Sequence, residues 1–157
     1  MRYVGLFAFL SLSVVFILSH RNRKKTEGEM YAQICILSKW VDNLIRGKTI
    51  EAFLSMNNIQ NIIIVGFDVL AEKLINELFE SPIEIVCVVD DRYADKMQYI
   101  PGIDFITHDQ FSKMMNDEKK SYDAIITLQE KSKYEFEYDS EIRVFPIESI
   151  ISVLGSL

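Results

Sequence analysis

NIIIVGFDVLAEKLINEL, residues 61–78, decides the fold. Ile62 to Val65 is a short, uniformly apolar run of β-favouring residues, the pattern of a strand buried on both faces of a parallel sheet. Gly66 breaks it, and from Val69 to Phe79 the apolar residues recur at helical spacing. Strand, glycine, helix is the opening of a phosphate-cradling turn, written G-x-G-x-x-G/A. Gly66 and Ala71 fit that pattern, but Asp68 stands where the second glycine belongs. Its carboxylate suits the free N–H groups and the positive dipole end of the helix it starts. A pyrophosphate would need that same place, so Asp68 competes with it for donors, repels it, and adds a Cβ where bare backbone is required.

The same alternation continues outward. Pro82 precedes IEIVCVVD (83–90), a second buried strand, and YIPGIDFIT (99–107) holds a turn at Pro101-Gly102 and a short third strand. DQFSKMMNDEKK (109–120) is helical with Asp109 as its expected N-cap. DAIITL (123–128) is a fourth strand, the polar KSKYEFEYDSE (131–141) lacks clear periodicity, IRVFPI (142–147) is a fifth strand, and ESIISVLGSL is a terminal helix. The expected fold class is α/β, a parallel sheet of about five strands with helices on both faces. In such a sheet ligands bind beyond the carboxyl ends of the strands. Those ends nominate Gly66, Phe67, Asp68, Ala71, Asp90, Asp91 and Thr127 as cofactor-binding residues. Asp90, 24 positions after Gly66, falls close to the spacing of an acid that accepts hydrogen bonds from ribose hydroxyls.

Before the first strand comes a helical lead-in, 29–58. Met30, Ile34, Leu37, Val41 and Leu44 recur at alternating spacings of four and three, with Tyr31, Trp40 and Ile45 widening the stripe. That stripe serves either packing onto the domain or a homodimer through helix 30–45. Gly47 ends the helix, and KTIEAFLSMNN is a short second one with Thr49 as N-cap and Asn57 or Asn58 able to take the left-handed conformation at its end.

The first 28 residues differ in kind. YVGLFAFLSLSVVFILS (3–19) carries no charge and is followed at once by HRNRKK. Seventeen residues of helix rise about 25 Å, near the lower limit for a bilayer core. No small-x-small cleavage site follows, and the basic flank belongs in the cytoplasm by the positive-inside rule. The expectation is an uncleaved anchor over 1–20, with a signal peptide as the alternative, a basic linker over 21–28, and a single-pass cell-membrane protein with its soluble domain (59–157 after the lead-in) cytoplasmic.

Charge and composition narrow the chemistry. Five of the six charges in residues 1–28 are basic while the whole chain carries −6, so the globular part is strongly acidic. Acidic surface disfavours nucleic acid as a partner. Cys35 and Cys87 form neither a disulfide framework nor a metal spacing, and no metal is expected. None of the seven tyrosines has a lysine four places on, so the Tyr-x-x-x-Lys pair of short-chain dehydrogenases and sugar-nucleotide epimerases is absent. His108 reads as an incidental exposed histidine.

In order, KWVDNLIRGKTIEAFL, NIIIVGFDVLAEKLINEL, VVDDR, YDAIITL and FPIESII resemble small Rossmann-like proteins of bacterial capsule and surface-polysaccharide gene clusters. That family pairs a K-W-L lead-in and a G-K step with an IYG-x-G-x-x-G turn, I-D-R after strand two, D-A-I-I-V-T and I-S-L-E-D-I-L, and some members begin with a membrane helix. Gly66, Ala71, Asp90, Asp123 and Thr127 match its positions, and Asp68 departs from them. The fold is similar to the nucleotide-sugar-binding domain of sugar O-acetyltransferases and the C-terminal domain of sugar C-methyltransferases. The resemblance implies NAD(P) or a nucleotide-sugar as ligand, bound weakly or no longer bound, with the membrane and polysaccharide-biosynthesis proteins as partners. The function it implies is an accessory binding module. The alternative is a small epimerase- or reductase-type enzyme acting with a partner subunit, since about 100 residues of α/β fold leave no room for a substrate domain.

Overall fold

The computed structural model describes residues 27–94, 100–115, 122–128 and 142–157. The expected anchor (1–20), nearly all of the basic linker and the polar 131–141 stretch lie outside them. Among the described residues no helix is long and apolar enough to cross a membrane. The chain divides into two compact units, Met1–Ser38 and Lys39–Leu157. Residues 27–45 are helical (α1).

Within the second unit the elements alternate as the apolar runs predict: α2 (Ile50–Met56), β1 (Asn61–Val65), α3 (Val69–Leu78), β2 (Glu84–Val89), β3 (Phe105–Ile106), α4 (His108–Met115), β4 (Ala124–Thr127), β5 (Arg143–Pro146) and α5 (Ile147–Ser156). The five strands form one sheet in the order β3-β2-β1-β4-β5, and every pairing is parallel. The order reverses at β1, where the chain leaves β3 and returns on the far side to make β4. Between Ile62 and Ile63 the β1–β2 register slips by one residue, so Ile62 faces Ile85 but Ile63 faces Cys87.

Side chains of a strand alternate between faces. Ile63, Val65, Cys87, Val89 and Ile125 build one core with Phe111 of α4. Ile62, Ile64, Val88 and Ile126 therefore point to the opposite face, and all four are fully buried. Phe145 lies on that face as the register partner of Ile126, and its ring meets Phe53 of α2 edge-on at 5.6 Å. Helices thus cover both faces, and both cores meet at β1.

Caps set the helix ends. Thr49 Oγ1 accepts from Ala52 N at 3.1 Å, and Asn58, at φ 54°, takes the left-handed conformation after α2. The α4 cap is not Asp109. Thr107 Oγ1 accepts from Gln110 N at 3.1 Å while Gln110 Oε1 accepts from Thr107 N at 2.8 Å. This reciprocal capping box starts the helix two residues earlier than Asp109 as N-cap would.

The apolar stripe of α1 is divided, with Leu37 and Leu44 half-buried. Trp40 and Asn43 are buried, whereas Met30, Tyr31, Ile34, Val41 and Ile45 are exposed. The reason is polar. The Glu77 carboxylate of α3 accepts Trp40 Nε1–H at 2.5 Å on one oxygen and the Ile50 amide, at the start of α2, at 2.6 Å on the other. Asn43 Nδ2 donates to the Ile151 carbonyl of α5 at 2.9 Å. Gly47, at φ 71°, turns the chain from α1 toward α2.

Glu77→Ala leaves the fully buried indole N–H and a helix-start amide without their acceptor. Each orphaned group costs about 1–3 kcal/mol. Urea titration followed by tryptophan fluorescence should show a loss of about 2 kcal/mol or more. A Phe79→Ala control, at an exposed position, should stay within about 0.5 kcal/mol of wild type.

Candidate functional site

The carboxyl ends of β1 and β2 bring Gly66, Phe67, Asp68, Asp90 and Arg92 together. Gly66 adopts φ 95°, a conformation closed to side chains in practice, and its amide donates to the Val89 carbonyl at 2.9 Å. A Cβ there would lie 3.9 Å from the Leu128 side chain, so space is not the constraint and the backbone angle is.

Asp68 is the N-cap of α3. Its Oδ1 accepts from Leu70 N at 2.9 Å and from Ala71 N at 3.3 Å. These are first-turn donors that a helix N-terminus offers to an anion. Ala71 is fully buried, which its small side chain permits where the helix closes on the sheet.

Asp90 is 5% exposed and uses both carboxylate oxygens within the chain. Oδ2 accepts from Phe67 N at 2.9 Å and from Arg92 Nη2 at 2.6 Å; Oδ1 accepts from Arg92 N and Arg92 Nε, both at 2.9 Å. Arg92 Nη2 also reaches the Phe67 carbonyl at 2.8 Å, tying the loop after β2 to the turn after β1. Burial pushes the Asp90 carboxyl up, but hydrogen bonds from the Arg92 side chain and from the Arg92 and Phe67 amides outweigh it and hold it below the usual carboxylate range. The Arg92 guanidinium is raised in turn, first by Asp90 and less by Tyr93 and Asp68. Phe67 is buried against Phe105 and Tyr93, both edge-on at 5.0 Å, and the Arg92 guanidinium lies 5.4 Å from the Tyr93 ring centre.

Two of the seven nominated residues lie apart from this group. Asp91 turns to α4, where Oδ1 accepts from His108 N at 2.9 Å and Oδ2 lies 3.0 Å from His108 Nδ1. The His108 amide, and then its ring, lower the Asp91 carboxyl. His108 is therefore not an exposed histidine: its side chain is 16% exposed and held against Asp91. Thr127 is buried at the end of β4, level with Val65 and Pro146, on the other side of β1. Asp123 works at the opposite end of the sheet. Its Oδ2 accepts from Gln60 N at 2.8 Å and Asn61 N at 2.9 Å, and those amides depress its pKa.

Sequence reasoning missed Arg92 as a partner of Asp90. The signal was present in DDR, since an arginine two places after a buried acid can fold its fork back onto it. Burial, and secondarily Asp104, pushes the Cys87 thiol up to about 12, so it is no nucleophile at neutral pH. Among the described residues no three His, Cys, Asp or Glu side chains converge to hold a metal ion. No family model, curated protein or solved structure matches the chain.

Depressed folded-state values for Asp90 and Asp123 make them a source of acid sensitivity. Their contribution is complete above the ordinary aspartate value of about 4 and is lost as pH falls through the lower folded values. Urea unfolding between pH 7 and pH 2 should show stability falling on the acid side. Asp90→Asn and Asp123→Asn should each be less stable at pH 7 and show a shallower acid slope; an unchanged slope would assign the sensitivity elsewhere.

Proposed function

We propose that this chain is a membrane-anchored, Rossmann-like accessory protein of bacterial surface-polysaccharide biosynthesis, a binding module for a nucleotide-sugar or dinucleotide whose phosphate turn is degenerate. One observation carries the reading: a Rossmann strand order whose first-turn amides are taken by the protein's own Asp68 carboxylate. A ligand phosphate must compete with that carboxylate for the same donors, so the wild-type site holds its ligand weakly or has lost it. The uncharged run 3–19 and its basic flank support anchoring with the domain in the cytoplasm. The exposed apolar residues Met30, Tyr31, Ile34, Val41 and Ile45 support a homodimer through helix 30–45. The anchor is tested separately: deletion of residues 1–25 should move a folded protein from the membrane to the soluble fraction. A C-terminal reporter active only outside the cytoplasm would reverse the orientation.

Asp68→Gly tests the site. It removes a charge and a Cβ together at an extended backbone position (φ −150°, ψ −168°) that glycine accepts, and loss of a cap to glycine costs only a few tenths of a kcal/mol. Calorimetric titration with NAD and with a UDP-sugar, in low salt where repulsion is least screened, should show tighter binding than wild type. Micromolar binding by wild type that weakens in the variant would make Asp68 a ligand contact and overturn the reading.

A further inference from the structure

The acid that should meet a ribose already has an occupant. Asp90 accepts four hydrogen bonds, about the capacity of a carboxylate, and three come from Arg92. Two of those, Nε and Nη2, form a fork that delivers one N–H to each oxygen, as the two adjacent hydroxyls of a ribose would. The same guanidinium lies beside the Tyr93 ring, where a planar base would stack. Arg92 nonetheless remains 67% exposed along its side chain, so it can swing into solvent without disturbing the strand. The Phe67 amide would still hold Asp90 in place.

We propose that Arg92 is an internal surrogate for a ribonucleoside, engaging Asp90 in place of the vicinal diol and Tyr93 in place of the base, so that the crevice accepts a nucleoside only when Arg92 is displaced. This rests on the reading of the crevice as a nucleotide site. It adds that closure is twofold, by Asp68 at the phosphate position and by Arg92 at the nucleoside position. The two closures are separable, because a nucleoside without phosphate is indifferent to the Asp68 charge.

The full-length protein in detergent micelles, as wild type and Arg92→Ala, is titrated with adenosine and with 2′,3′-dideoxyadenosine, with folding checked by circular dichroism. Arg92→Ala should bind adenosine at least tenfold more tightly than wild type, show no such gain for the dideoxy analogue, and lose the gain when Asp90→Asn is added. Arg92→Gln, which keeps a polar stem but not the charged fork, should show a smaller gain with the same dependence on the diol; it decides the matter if the alanine variant does not fold. No gain in a folded variant, or an equal gain for the dideoxy analogue, overturns the proposal. If Asp68→Gly gains NAD affinity while the Arg92 variants gain nothing, the nucleotide reading stands and the role of Arg92 falls. If Asp68→Gly, Arg92→Ala and the double variant all bind neither NAD nor adenosine, both fall.

Discussion

Strand β1 is paired on both edges and covered on both faces, and this total burial constrains the rest of the structure. Parallel pairing on each side requires crossovers that carry helices, and those helices supply the apolar cover that Ile62, Ile63 and Ile64 need. A buried strand must also satisfy the polar backbone at its two ends. Neighbouring strands send carboxylates to do so. Asp123, just before β4, takes the amides of Gln60 and Asn61, and Asp90, just after β2, takes the amide of Phe67. One acid clips each end of the central strand.

That solution shapes the site. An open nucleotide crevice leaves a helix N-terminus and a strand-end acid for the ligand to complete. Here the chain completes both, with Asp68 on α3 and Arg92 on Asp90, and the two charges act on each other. The Phe67, Tyr93 and Phe105 rings fill in beside them. The chain's own groups occupy both positions. These internal contacts raise the free energy that any ligand must supply to enter.

The lead-in follows a similar logic. Glu77 joins the Trp40 indole to the first amide of α2, and Asn43 joins α1 to α5, so the end of α1 is held by polar contacts at buried positions. Its apolar residues at Val41 and Ile45 stay exposed while Trp40 of the same stripe is buried, a division that hydrophobic periodicity alone does not make.

What the sequence determined by itself was whatever depends on local pattern. The uniformly apolar runs, the glycine after the first and the helical spacing that follows foretold parallel strands alternating with helices, and Asp68 foretold its own cap. Thr107 and Gln110 were equally legible as a capping box, although Asp109 drew the assignment. Tertiary structure decided what depends on distance across strands. No local pattern states that Asp90 would meet the Phe67 amide 23 positions back, that Asp91 would turn to His108, or that Glu77 would choose which side of α1 is covered. A carboxylate reads the same in sequence whether it awaits a ligand or already holds an arginine. Its partners are set by strand order and register, which arise only when β1 is enclosed.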